Sequence, residues 1–237
     1  VRLDIKPLQH AEKAGVPIIS EIELAAQYIS EPIIAVTGTN GKSTTVSLIA
    51  EMIRSGGKTV FLGGNIGTPL SDYPLRREKA DWVVVEVSSF QLDTCRQFKP
   101  HVAVILNVAP DHLDRYPSFE EYASAKAKLQ MNLGEEDYLV SNFRDSKLNT
   151  LLASTKAKVL HFTSEPMAKM APTTLENLQG AYLPNNSSLQ LKASRWKDHL
   201  FPVQDSLLRG IHNRENMMAA MLAAKLAGVS NEAIQKT

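Results

Sequence analysis

Ile34-Ala35-Val36-Thr37-Gly38-Thr39-Asn40-Gly41-Lys42-Ser43-Thr44 decides how the rest of the chain is read. An uninterrupted apolar run enters a turn with two glycines, and a lysine and two hydroxyl residues follow. The run reads as a strand buried on both faces, and the segment after Gly41 reads as the opening of a helix. A strand, a glycine turn and a helix N-terminus together make an anion site. Backbone N–H groups of the turn and first helical turn surround phosphate oxygens, and the glycines let the backbone come close. Lys42 can neutralise β- and γ-phosphates, and the Ser43 hydroxyl can ligate Mg²⁺. The general phosphate-loop pattern asks for a further glycine five residues before Gly41, where this chain has Val36.

Outward from this loop the same grammar repeats. Apolar runs predict strands over 33–37, 59–62, 82–87, 102–107, 138–141 and 159–162. Helices are predicted over 43–54, around Gln91, over 119–131 and over 146–153. Strands alternating with helices predict an α/β fold: a parallel sheet with helices on both faces. Residues 164–206 differ, with prolines and asparagines clustered and Leu189, Leu191 and Ala193 alternating with polar residues. They read as a small, mainly antiparallel appendage. An Ala- and Met-rich helix is predicted over 213–227, closed by Gly228. Met217, Met218 and Met221 read as core. Ahead of the first strand, residues 15–19 read as a strand and 21–28 as a short helix.

Composition narrows the function classes. The chain has 237 residues, 43% of them hydrophobic, enough for one large core. A net charge of +1 gives no electrostatic reason for a nucleic acid or an anionic membrane as partner. No apolar run approaches the ~20 residues that span a bilayer. A single cysteine, Cys95, excludes an internal disulfide framework and suits a cytoplasmic protein; it reads as a small half-buried side chain. No CxxC or HExxH suggests zinc, and no Asn-Lys-x-Asp motif suggests a guanine-nucleotide switch.

Further residues carry chemistry by type and position. Glu86 closes an apolar strand at the carboxyl edge, where open α/β sheets bind ligands, and a carboxylate there suits a hard cation. His112 follows the next strand in a Pro-Asp-His-Leu-Asp turn. Ser118 and Glu121 have capping-box spacing, so a helix starts at Phe119. On it Phe119, Tyr122, Lys126 and Leu129 share one face, which puts Lys126 among apolar side chains. A buried ammonium needs a partner or a lowered pKa; the alternative is a lysine whose stem is covered while its tip reaches water. Asn213 and Asn216 lie one turn apart at a helix start.

The loop Gly38–Thr44 occurs with four more segments: 64–70 (GNIGTPL), 85–92 (VEVSSFQL), 107–115 (NVAPDHLDR) and 212–216 (HNREN). With them the chain resembles the Mur ligase family across nearly its whole length. GNIG and SSFQL favour the family member that adds D-glutamate over those that add L-alanine, the third residue or D-Ala-D-Ala. The resemblance implies an ATP-dependent ligase of peptidoglycan synthesis that joins D-glutamate to UDP-N-acetylmuramoyl-L-alanine through an acyl phosphate. It implies a nucleotide site of Gly38, Thr39, Asn40, Gly41, Lys42, Ser43 and Thr44 with Asn213 and Asn216, the last reading adenine. It implies Mg²⁺ on Ser43 and Glu86, and a second Mg²⁺ on His112 and on Lys126 carbamylated by CO₂. Lys42, His112 and Lys126 would be catalytic, and Asn65, Ser88, Gln91 and His112 would approach the UDP-linked substrate. Turn-making and helix capping are the other reading of Ser88 and Ser89. Asp111, Asp114 and Arg115 are expected to shape their loop. A monomer is expected.

The same resemblance divides the chain into 1–31, the tail of a UDP-substrate domain, and 32–237, the central ATP-binding domain. A C-terminal amino-acid-binding domain is expected outside the chain, so the 237 residues alone are expected to bind Mg-ATP weakly and not to complete ligation. Two other readings are a different ligase of the superfamily, such as a folylpolyglutamate synthase, and a nucleotide-binding module without catalysis.

Overall fold

The computed structural model describes residues 4–111, 114–165, 170 and 178–237. Its centre is a sheet of nine strands among the described residues, in the order β2-β3-β1-β4-β5-β6-β7-β8-β9. These are β1 (Ile33–Thr37), β2 (Val60–Gly64), β3 (Trp82–Glu86), β4 (Val102–Ile105), β5 (Tyr138–Asn142), β6 (Lys158–Thr163), β7 (Gly180–Asn185), β8 (Ser188–Ala193) and β9 (Trp196–Pro202). Pairing is parallel from β2 through β7 and antiparallel for β7–β8 and β8–β9. The predicted antiparallel appendage is present as β7, β8 and β9 at one edge of this sheet. His161, Phe162 and Thr163 pair with Gly180, Ala181 and Tyr182, and this parallel ladder joins it to the main sheet. The alternation at Leu189, Leu191 and Ala193 is as predicted: all three are buried.

Alternate residues of each central strand feed opposite cores, as the two-residue period of a strand requires. Ile34, Val36, Val84, Val104 and Val140 face one core. It is closed by α3 (Lys42–Ser55), α7 (Ile211–Leu226) and α8 (Asn231–Lys236). Met217, Met218 and Met221 of α7 lie in it, as read from sequence. Ile33, Ala35, Val83, Val85, Ala103 and Leu139 face the other, with α2 (Glu21–Ala26), α4 (Ser89–Leu92) and α6 (Ser146–Leu152). Cys95 is buried there and its thiol is pushed up to about 11 by burial.

Two expectations fail at the edges. Residues 15–19 form no strand; α1 (Lys6–Lys13) precedes them and irregular chain follows. Pro17 lacks an N–H to offer a ladder, Val16 is 55% exposed, and no described strand runs beside them. The helix predicted over 119–131 is shorter: α5 spans Phe119–Ala127 and tightens into a 3-10 turn at Lys128–Gln130. No described helix is long and apolar enough to cross a membrane.

Candidate functional site

β1, β3 and β4 are adjacent and parallel, so their carboxyl ends open on one edge. β1 leads to the glycine turn, β3 ends in Glu86 and β4 leads to Asn107. α3 starts at this edge with Gly41 as N-cap, φ 88°, and no side chain caps it. The positive φ favours glycine, and an added Cβ would run into the Asn216 side chain. The first-turn N–H groups of α3 have no intrahelical acceptor and point out of the helix start, where anions bind.

Lys42, on that first turn, folds back so that its Nζ donates to the carbonyls of Gly38 and Thr39, both at 3.0 Å. Ser43 Oγ donates to Glu86 Oε2 at 2.7 Å. The other carboxylate oxygen, Oε1, accepts from Asn65 Nδ2 at 2.8 Å, and the Glu86 main-chain carbonyl accepts from Asn65 N at 2.8 Å. Glu86 is only 2% exposed, so these bonds fix it in one orientation. Gly64, φ 103°, lets the end of β2 approach that close: a Cβ there would strike the Glu86 backbone.

Lys126 is 2% exposed, so the reading in which its tip reaches water does not hold. Its Nζ donates to the Gly38 carbonyl at 2.9 Å and lies 4.5 Å from the centre of the Tyr122 ring. Burial, reinforced by the nearby Lys42 ammonium and opposed by Asp111, pushes it down to about 7. Tyr122, one turn earlier on α5, approaches Thr39 Oγ1 at 3.2 Å. The predicted capping box at this helix is half made: Ser118 Oγ accepts from Glu121 N.

Ser88 and Gln91 use their side chains on each other. They form a complete capping box at α4, Gln91 Oε1 accepting from Ser88 N and Oγ. Asn216 is buried against Gly41, and its Nδ2 donates to Asn213 Oδ1 at 3.5 Å. Arg115 stacks on Phe90, 3.7 Å from the ring centre, which suits a loop-shaping role. His112 lies outside the described residues. Among the described residues no cluster of three His, Cys, Asp or Glu side chains could hold a metal ion. Among the described residues, the oxygen pair Ser43–Glu86 has the donor chemistry that could hold a hard divalent cation.

The residue that sequence reading passed over is Asn107. Its side chain bridges Asn40 N and O, at 2.9 and 3.0 Å. The available signal was a lone amide directly after an all-apolar strand, at the edge where the loop lies.

Residues 36–224 match the Mur ligase middle domain. The chain is 39% identical over 236 residues to a UDP-N-acetylmuramoylalanine–D-glutamate ligase of Koribacter versatilis, covering 100% of this chain and 50% of that protein. It is 41% identical over 230 residues to the ligase of the same name from Geotalea uraniireducens, covering 96% of this chain and 48% of that one. The chain thus spans about half the length of the curated relatives it matches. Among solved structures, a UDP-N-acetylmuramoyl-L-alanyl-D-glutamate–2,6-diaminopimelate ligase superposes with a TM-score of 0.67 at 26% identity, over 96% of this chain and 47% of that one. A MurF ligase from Thermotoga maritima, in complex with ADP, superposes with a TM-score of 0.66 at 20% identity, over 92% and 51%. With a matching domain over most of its length, and a glycine loop, Glu86 and Lys126 gathered at one sheet edge, the chain belongs to the Mur ligase family.

Proposed function

We propose that this chain is the nucleotide- and metal-binding core of an ATP-dependent ligase of cell-wall peptidoglycan synthesis. The reaction joins D-glutamate to UDP-N-acetylmuramoyl-L-alanine. The observation that carries the reading is the meeting of Lys42, Lys126 and the Ser43–Glu86 pair around the Gly38 turn. The relatives' names supply the substrates.

In the proposed reaction a substrate carboxylate oxygen attacks the γ-phosphorus of ATP, and ADP leaves. The amine nitrogen then attacks the acyl carbon, loses its proton, and phosphate departs. The first step develops negative charge on phosphate oxygens and needs fixed donors and cations there. The first-turn N–H groups of α3 supply donors, and Lys42 has only to swing from the Gly38 and Thr39 carbonyls onto the phosphates. Ser43 and Glu86 would hold Mg²⁺, which supplies charge neutralisation at the phosphate oxygens. Asn213 and Asn216 would take the base of the nucleotide, and Asn65, Ser88 and Gln91 would line the approach of the UDP-linked substrate. Residues 32–237 would form one ATP-binding unit.

Lys126 supports carbamylation. A neutral amine adds to CO₂, forming an N–C bond and releasing a proton. Burial favours that neutral amine. The product is an anion beside the Lys42 ammonium, so a like-charge contact becomes an attractive one. With His112 this carbamate would hold a second Mg²⁺.

The test is a ligation assay on the protein that carries this chain, with Mg-ATP, UDP-N-acetylmuramoyl-L-alanine and D-glutamate. One ADP and one phosphate should appear per amide formed. ATP turnover with no amide product would overturn the assignment. Native mass measured in bicarbonate tests the carbamate separately.

A further inference from the structure

We propose that Asn107 is a positioning residue for the phosphate loop: its side-chain amide pairs with the Asn40 backbone as a neighbouring strand would, and so sets which loop N–H groups face a phosphate. This rests on the nucleotide-binding reading above.

The main-chain pairing of β1 with β4 ends at Thr37 and Ile105. Beyond it the chain turns at Gly38, and the two backbones can no longer run as an even ladder. Asn107 takes over. Its Oδ1 accepts from Asn40 N at 2.9 Å, and its Nδ2 donates to Asn40 O at 3.0 Å. A primary amide carries the same donor and acceptor pair as a peptide group, so it substitutes for one. The Asn107 main-chain carbonyl also accepts from Thr39 N at 3.0 Å. Thr39 Oγ1 completes the seam, accepting from Ala109 N at 3.0 Å and donating to Ala109 O at 3.3 Å.

The consequence is a division of labour within the loop. The N–H groups of Thr39 and Asn40 are both committed to Asn107. They are not phosphate donors, although both residues belong to the glycine motif. The cradle is left to the N–H groups that follow, from Gly41 into the first turn of α3. Without the Asn107 side chain, the peptide between Asn40 and Gly41 is free to rotate, and Gly41 tolerates the alternatives. Only a fraction of molecules would then present the cradle, and phosphate affinity falls by that fraction.

Calorimetric titration with Mg-ATP, Mg-ADP and adenosine separates this from a general structural role. Asn107→Ala should weaken ATP and ADP about tenfold and leave adenosine unchanged, because adenosine has no phosphate to place. Amide hydrogen exchange on the wild-type protein gives a second readout that needs no variant: the Asn40 N–H should exchange slowly without nucleotide. Asn107→Ala binding ATP within about twofold of wild type, an equal loss for adenosine, or a freely exchanging Asn40 N–H would each overturn the proposal. If the wild type binds no nucleotide, the functional reading fails, and the exchange rate alone still decides whether Asn107 holds the loop.

Discussion

The ammonium groups of Lys42 and Lys126 donate to one shared acceptor, the Gly38 carbonyl oxygen, at 3.0 and 2.9 Å. Two cations so placed repel, and one of them is buried. Burial is the larger cause of the low Lys126 value of about 7 and the Lys42 charge is the next. Lys42→Met should therefore raise the Lys126 pKa part of the way back toward its ordinary range. Titration of the lysine side-chain NMR signals reads this, and an unmoved Lys126 would show that the two charges do not sense each other.

The same shift makes stability depend on pH. The folded value of about 7 lies below the ordinary 10.5, so between them the unfolded chain binds more protons at Lys126 than the folded one does. Stability from this group then rises as pH rises through that window and is lowest below it. Lys126→Met removes the cost. The variant should melt above wild type near neutral pH in CO₂-free buffer, with the gap closing toward pH 10. A gap independent of pH would contradict this account.

Glu86 is held through both oxygens, so removing a holder and removing the charge should have different effects. Asn65→Ala leaves a buried carboxylate oxygen short of a donor, at a cost of about 1–3 kcal/mol in unfolding free energy. Glu86→Gln keeps the shape but not the charge. It should leave melting nearly unchanged while abolishing the Mg²⁺ enhancement of ATP binding. Mg²⁺ enhancement that survives in Glu86→Gln would remove this carboxylate from the metal site.

Gly41→Ala meets two obstacles, a φ of 88° and the Asn216 side chain in the path of the new Cβ. The backbone alone costs about 1–2 kcal/mol. Chemical denaturation should show at least that loss, with nucleotide binding reduced to background. Wild-type stability in this variant would mean that the loop backbone is not as described.

Much of this site was legible in the chain because it depends on local order. A strand, a glycine turn and a helix start must be contiguous, so Ile34–Thr44 announced the loop unaided. The parallel sheet was legible because its strands are apolar on both faces. Local reading failed where partners were distant. Residues 15–19 looked like a strand, yet a strand exists only beside another, and Pro17 cannot complete a ladder. The antiparallel segment after residue 164 was legible, but its junction with the main sheet was not, because the parallel pairing of His161 with Gly180 links residues that local reading does not connect. Glu23 gave no signal either. It is buried because its carboxylate accepts from Gln97 N and Phe98 N, far along the chain.

Side-chain period and backbone freedom made most of the elements, the two-sided burial of the central strands and the chemical types gathered in the motifs readable from the chain alone. What each group does there emerged from the fold: Lys126 is buried on the Gly38 carbonyl, Asn65 and Ser43 share the Glu86 carboxylate, and Asn107 spends its amide on Asn40. A hydrogen-bond acceptor is chosen by distance in space, and residues such as Gly38 and Lys126 come within reach only when separate elements meet at one edge of the sheet.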